Sequence, residues 1–203
     1  MLIDPSDGPV TVEVSYTNRV PIEEVDIRPR GRGLKATIDG ASFSFTLDHP
    51  DKLSLEVPGH PQLFFWANPP ETDQPDPDDL NVTWSKGGQV YEADEFRIGE
   101  NQTLYIEGGA AIRGMLRVRN ADNVTLRGHG ILDGRYYLHG GRDFRHLARF
   151  DTCKNVPARD VTMIQPSGWM LVPCNCEDVH IFKQIRVMDV KTSKIYWWKT
   201  APF

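Results

Sequence analysis

The sequence contains few cysteines, no long apolar run and no excess of basic charge. Its three cysteines, Cys153, Cys174 and Cys176, are too few for a disulfide framework. A Cys-x-Cys pair also falls short of the roughly four ligands of a structural zinc site. We therefore expect these cysteines to be core or coil residues, and we expect no metal ion and no organic cofactor.

The lack of a long apolar run and of an excess of basic charge limits the partners that the protein can have. No apolar run approaches the roughly 18 residues that cross a bilayer, so we expect no membrane segment. Lysine and arginine total 23 against 28 acidic residues, a net charge of −5, and no basic cluster stands out. This balance argues against nucleic acid as a partner. The opening residues MLIDPSDGPV lack the basic and apolar regions of a signal peptide, which leaves the localisation undetermined.

Short alternating segments dominate residues 1–70. Val12, Val14 and Tyr16 alternate with polar residues, as a half-buried strand requires. Further strands are predicted at Leu34–Ile38, Ser42–Leu47, Leu53–Val57 and Leu63–Ala67. Asp39-Gly40, between two such runs, is a hairpin signal. Short strands with almost no helical periodicity predict an antiparallel β-sandwich in this region.

Residues 71–96 are expected to connect the sandwich to the next region. The stretch at 68–79, NPPETDQPDPDD, holds four prolines and five acidic residues, a composition that disfavours regular structure. It therefore marks the predicted domain boundary. Short connecting strands are predicted after it at Val82–Trp84 and Val90–Ala93.

A repeated pattern runs through residues 97–190. Its first inward residues are predicted to be Leu104, Val124, Val161 and Val179, and the middle step is about twice as long as the other two. This long step indicates an insertion at 135–145. A repeat of roughly 20 residues without helical periodicity is typical of a β-solenoid, in which each coil contributes short strands to stacked parallel sheets. A second antiparallel sandwich is the alternative interpretation.

Three segments resemble pectin-lyase-fold glycoside hydrolases of the polygalacturonase and dextranase type. They are QTLYIEGGAAIRGMLRVRNADNVTLRGHGILDG at 102–134, LFFWANPPE at 63–71 and QPSGWMLVPCNCEDVHI at 165–181. The resemblance implies an all-β chain with an N-terminal antiparallel β-sandwich followed by a partial right-handed parallel β-helix. It also implies a protein that acts on an α-linked polysaccharide such as polygalacturonate or dextran, in a family whose members are typically secreted. We expect a monomer.

The aspartates that hydrolyse glycosidic bonds in that family are expected in the coils after the tryptophan-containing segment. Such enzymes use one carboxyl group as acid and another as base or nucleophile. Here residues 191–203 have no coil register and no paired carboxylates. We therefore expect a fragment without catalytic residues. The alternatives are an active glycosidase, a carbohydrate-binding protein without catalysis and a structural β-solenoid.

Three residues are the predicted substrate contacts. Trp169 offers an aromatic face for a sugar ring, and Asp151 follows an apolar segment and can face a cleft. His139 lies in the predicted insertion and His146 directly follows it, a place where loops often bind ligands. Asp133, Asp160 and Asp178 are instead predicted to be turn residues, the last two at equivalent repeat positions.

Overall fold

The chain folds into two compact units that contain almost only β-strands. The computed structural model describes residues 2–3, 8–17, 19–135, 145–182 and 186–188, with the backbone alone at 2–3, 182 and 186–188. One unit spans Met1–Asp73 and the other Gln74–Phe203. Within the described residues the only helical element is a single 3-10 turn at Arg30–Arg32. The predicted all-β class is confirmed.

The first unit consists of two sheets. Its seven strands are β1 Leu2–Ile3, β2 Val10–Ser15, β3 Asp26–Arg28, β4 Thr37–Asp39, β5 Ser42–Leu47, β6 Lys52–Glu56 and β7 Leu63–Ala67. One sheet has the order β1-β7-β6-β3 and the other the order β2-β5-β4. All pairs are antiparallel except β1 with β7. The predicted hairpin at Asp39-Gly40 joins β4 to β5.

The core of this unit lies between its two sheets. Alternate residues of β5 are buried, and Phe45 meets Phe65 of the other sheet edge to face, with ring centroids 5.6 Å apart. Alternation of apolar and polar residues gives each strand one buried face. The same cluster includes Val12, Ile27 and Leu55. The predicted antiparallel β-sandwich is confirmed.

The second unit is a parallel β-solenoid. Its strands are β8 Val82–Ser85, β9 Val90–Arg97, β10 Thr103–Ile106, β11 Ala111–Arg119, β12 Thr125–Arg127, β13 Ile131–Asp133, β14 Ala148–Asp151, β15 Lys154–Arg159, β16 Thr162–Ile164, β17 Leu171–Cys174, β18 Glu177–Phe182 and β19 Arg186–Met188. Every described strand pair in this unit is parallel, which excludes a second antiparallel sandwich. The right-handed winding stays a prediction.

Successive coils build three outer faces. Face I consists of β8, β10, β12, β15 and β18. Face II consists of 90–92, 111–113, β13, β16 and β19, whereas face III consists of 95–97, 115–119, β14 and β17. In β9 and β11 the strands of faces II and III are continuous, with a register shift between Arg113 and Met115. At this shift a Cβ on Gly114 would lie 1.9 Å from the carbonyl oxygen of Ala93, so the position requires glycine.

The first coil of the solenoid lies before residue 97. Strands β8 and β9 pair with β10 and β11 and form this coil. Apart from Arg97, they lie in residues 71–96, where the sequence indicates only connecting strands. The division of the chain at Asp73 and Gln74 falls inside the proline-rich stretch at 68–79. The predicted tail at 191–203 lies outside the described residues, as does 136–144 of the predicted insertion.

The predicted column of inward residues has the wrong register. Leu104 pairs with Leu126, which pairs with Ala158, and Ala158 in turn pairs with Ile181. Val124 lies two positions before Leu126 and shares a column with Val179 through Val156. Val161 precedes β16 on face II. Leu104, Val124 and Val161 are nevertheless buried in one core, against which Val179 packs.

Asparagines mark one corner of the coils. Asn101, Asn123 and Asn155 have φ of 59°, 56° and 56°, and each later side-chain amide donates to the oxygen of the one before, at 2.9 and 2.8 Å. Asparagine tolerates this left-handed conformation better than most residues. Asp178 continues the column with φ 52°, whereas Asp160 lies at a different corner, after Arg159 of β15. Asp160 lies at a bend after β15 as predicted, whereas Asp178 lies within β18, so the predicted equivalence of their positions is wrong.

Candidate functional site

The outward surface of face III has an unusual composition. Leu116, Val118, Ala148 and Phe150 point inward and are fully buried. Because side chains alternate along a strand, Arg117 and Arg119 of β11 and Arg149 and Asp151 of β14 point outward. Four successive outward positions on two adjacent strands are therefore charged.

The coil register stacks these side chains in two columns. Arg97, Arg117 and Arg149 are partners on consecutive strands, so three arginines follow one another about 4.8 Å apart along the solenoid. In the neighbouring column Arg119 pairs with Asp151, and Asp151 pairs with Cys174. Like charges at such spacing repel each other unless carboxylates or a ligand lie between them.

Two carboxylates lie among the arginines. Asp151 accepts both Nε and Nη2 of Arg149, at 2.8 and 2.7 Å, and lies 3.7 Å from guanidinium nitrogens of Arg117 and Arg119. Glu95 lies 2.6 Å from Nε of Arg97 and 3.7 Å from Nε of Arg117. The hydrogen bond to Asp151 and the negative charge of Asp151 raise the pKa of Arg149. Burial lowers this pKa, but by less. Four guanidinium groups thus surround two carboxylates, and the cluster keeps an excess of positive charge.

Trp169 lies beside this cluster and is strongly exposed. The residue is 64% exposed, the highest value for an aromatic residue in the described part of the chain. Its ring stacks on the His146 ring, with centroids 5.5 Å apart and planes inclined by 27°. The backbone N–H of Trp169 donates to Nδ1 of His146 at 3.2 Å. The histidine therefore orients the tryptophan through both its ring face and its ring nitrogen.

The segment that carries His146 is held by backbone and hydroxyl contacts. Leu147 donates its N–H to the carbonyl oxygen of Trp169 at 2.9 Å. The Ser167 hydroxyl accepts the N–H of Arg145 and donates to the carbonyl oxygen of Arg145, at 3.1 and 2.9 Å. Ser167 is itself buried. Adjacent coils thus fix the position of the Trp169 ring at the edge of face III.

Burial and nearby positive charge lower the pKa of the His146 ring. Burial is the largest cause that lowers its pKa, followed by the positive charges of Arg149 and Arg117, and Asp151 opposes them weakly. With Nδ1 accepting the Trp169 N–H, the neutral ring carries its proton on Nε2. These neighbours also place His146 in the field of the arginine cluster.

Two of the three predicted substrate contacts lie near face III. They are Trp169 and Asp151, although the Asp151 side chain is only 19% exposed and lies under guanidinium groups. His139 lies outside the described residues. The role of all three in substrate binding stays a prediction. Asp133 is buried and accepts the N–H of Arg135 at 3.0 Å, as a turn residue does.

The arginines were missed by the sequence analysis. No basic cluster stands out along the sequence, but the folded surface has one, because Arg97, Arg117 and Arg149 are far apart along the chain yet stack in one column. The available signal was the alternation Arg-Val-Arg at 117–119 within a predicted solenoid coil. Cys153 is buried in the core and Cys174 lies in strand β17 of a coil, so both occupy the expected core or coil positions.

Metal ligands, membrane helices and known relatives give no further assignment of the site. Within the described ranges, no group of three or more histidine, cysteine or acidic side chains is placed to hold a metal ion. The described part of the chain contains no helix long and apolar enough to cross a membrane. A scan against protein-family models and a search of curated proteins both found no match to this sequence.

Proposed function

We propose that face III binds an acidic α-linked polysaccharide such as polygalacturonate, and that the chain is related to pectin-lyase-fold glycoside hydrolases. The observation that carries this proposal is the column of Arg97, Arg117 and Arg149 on consecutive coils. A polyuronate presents one carboxylate per sugar, and a guanidinium group matches a carboxylate in both charge and geometry. A column of arginines therefore complements a chain of carboxylates.

Trp169 supplies the second part of the proposed site. Its exposed ring lies at the edge of the arginine cluster and is oriented by His146. A fixed aromatic face binds the apolar side of a sugar ring at little entropic cost, because the ring is already ordered. The combination of a fixed ring and an excess of positive charge favours an acidic polymer over a neutral one such as dextran.

We propose that face III binds the polysaccharide and does not hydrolyse it. Glycoside hydrolysis needs two carboxyl groups with separate tasks. Asp151 and Glu95, the carboxylates of the arginine cluster, are both engaged by guanidinium groups. Carboxylates held in this way act as ion-pair partners, and not as an acid and a base that face one glycosidic bond.

Affinity electrophoresis through gels that contain polygalacturonate tests the proposal. We expect retardation that decreases with added salt, because exposed charge pairs are screened. Gels with dextran or with fully methyl-esterified polygalacturonate should give none, and incubation with polygalacturonate should release no reducing ends. Equal retardation by the esterified polymer would contradict the proposal.

Two variants and a control sharpen the test. Trp169→Ala should weaken binding about tenfold, because it removes the aromatic face on which a sugar ring stacks. Arg149→Gln should lower both the affinity and its salt dependence. The matched control is Arg30→Gln, which removes the same charge from an exposed arginine of the sandwich. A loss of affinity in the control equal to that of Arg149→Gln would mean that binding follows net charge alone.

A further inference from the structure

Cys153 and Cys176 occupy the same position on consecutive coils. Each follows a residue in the left-handed conformation, Thr152 with φ 55° and Asn175 with φ 53°. Each also precedes a paired residue, because Lys154 of β15 is the partner of Glu177 of β18. The N–H of Glu177 donates to the carbonyl oxygen of Cys153 at 2.9 Å, which ties the two corners together.

The Cys176 sulfur reaches back over the preceding coil. It accepts the backbone N–H of Cys153 at 3.4 Å and donates to the carbonyl oxygen of Phe150, also at 3.4 Å. The Cys153 thiol donates to the carbonyl oxygen of Asp151 at 3.3 Å. Burial raises the pKa of the Cys153 thiol, and the Cys176 thiol beside it raises it further. The two sulfur atoms are therefore neighbours.

The spacing of the coils suits a covalent bond between these sulfurs. Paired parallel strands lie about 4.8 Å apart, within the roughly 4.4–6.8 Å that separates the Cα atoms of disulfide-bonded cysteines. The two sulfur atoms must move from non-bonded contact to the roughly 2.05 Å of an S–S bond, which needs side-chain rotation and a small shift of the backbone. Strand β18, which follows Cys176, ends the order of its sheet in the described part of the chain, so it can make this shift without displacing a further described strand.

We propose that Cys153 and Cys176 form a disulfide between adjacent coils by exchange with a low-molecular-weight disulfide. The Cys176 thiolate, less buried than Cys153, attacks one sulfur of the small disulfide, and the other sulfur leaves as a thiolate that takes up the proton lost by Cys176. Cys153 then loses its proton and attacks the Cys176 sulfur, which releases the second small thiol. Two protein thiols are oxidised and one small disulfide is reduced.

This bond would close a loop of one coil. Cross-linking residues 153 and 176 restricts the unfolded chain and opposes local opening of the corner between faces III and I. Exchange of the backbone amides of β18 should therefore slow on the order of a hundredfold after oxidation, as expected for a closed loop of this length. The effect does not depend on what face III binds.

Peptide mapping of the full chain, oxidised with excess glutathione disulfide, tests the proposal. Trypsin should yield residues 150–154 and 160–183, joined and lighter by two hydrogen atoms than the separate peptides. Because the longer peptide carries both Cys174 and Cys176, the same digest of Cys174→Ser assigns the bond, and the joined pair should persist. Cys176→Ser in the same mapping should leave residues 150–154 unlinked.

Hydrogen exchange of the oxidised and reduced wild-type chain gives a readout that needs no substitution. Slower exchange of β18 amides in the oxidised protein, reversed by a reductant, supports the proposal. A bond between Cys174 and Cys176, or Cys153 left as a free thiol after oxidation, would overturn it.

Discussion

The sandwich and the solenoid differ in how charged residues line up across neighbouring strands. In the sandwich Asp26 pairs with Arg28 and Arg30, which lie close to it along the chain. In the solenoid Asp151 contacts Arg117, which is distant in sequence and belongs to the neighbouring coil. Ion pairs also cross strands in the sandwich, as between Arg28 and Glu56, but stacked coils repeat one outward position along a whole face. Only the second arrangement builds an extended column of like charges.

The largest expected effect comes from substitutions in the separate apolar cores of the two units. Phe150→Ala in the solenoid and Phe65→Ala in the sandwich each remove a fully buried ring and should each lower the free energy of unfolding by about 3–5 kcal/mol. Because the two units have separate apolar clusters, each substitution should reduce amide protection in its own unit only. Hydrogen exchange monitored by mass spectrometry makes this measurement. Equal loss of protection in both units after either change would show that they unfold together.

A smaller effect is expected at the coil corners. Asn123→Ala removes the hydrogen bonds to Asn101 and Asn155 and places alanine at φ 56°, so the free energy of unfolding should fall by about 2 kcal/mol. Asn123→Gly also removes the hydrogen bonds, but glycine adopts this φ without strain, so the free energy of unfolding should fall by about half as much. Chemical denaturation measures both.

The sandwich provides the control for this corner. Gly40 of its hairpin has φ 58° without any neighbour near its missing Cβ. Gly40→Asn should therefore change stability by less than about 1 kcal/mol, since asparagine tolerates this conformation. If Asn123→Gly were as stable as the wild type, the amide ladder would contribute nothing to coil stacking.

The smallest effect concerns pH. The pKa of His146 is lowered in the folded chain, so the unfolded chain binds more protons just below the ordinary value of about 6.5. Stability should therefore decrease as pH falls through that value, and protonation of Nδ1 should break the contact to the Trp169 N–H. Thermal unfolding at a series of pH values, with His146→Asn as control, measures the trend. A wild-type profile identical to that of the control would contradict it.

Strand positions were easier to predict than coil register. Ser42–Leu47 and Leu63–Ala67 were predicted with the bounds that the structure has, because turn residues flank them. In the solenoid, Val124 and Leu126 are both inward and apolar, so a shift of two positions leaves the pattern unchanged. Only the neighbouring coil shows that Leu126, and not Val124, pairs with Leu104.

The candidate site was only partly visible in the sequence for a related reason. Trp169 and Asp151 stand out as single residues near recognisable motifs. The arginines gain their significance from stacking, since Arg97 and Arg149 become neighbours of Arg117 only once the register is known. The contact of His146 with Trp169 likewise joins two coils, and nothing in the sequence between them indicates it.

Arginine-specific labelling with phenylglyoxal, with and without polygalacturonate, tests the central claim most directly. Arg97 on face III and Arg30 on the sandwich are matched reporters, because their side chains are 77% and 76% exposed. The account predicts that the polymer slows modification of Arg97, and of Arg119 in the neighbouring column, while Arg30 reacts as before. Equal protection of Arg30 and Arg97, or protection of neither, would contradict it.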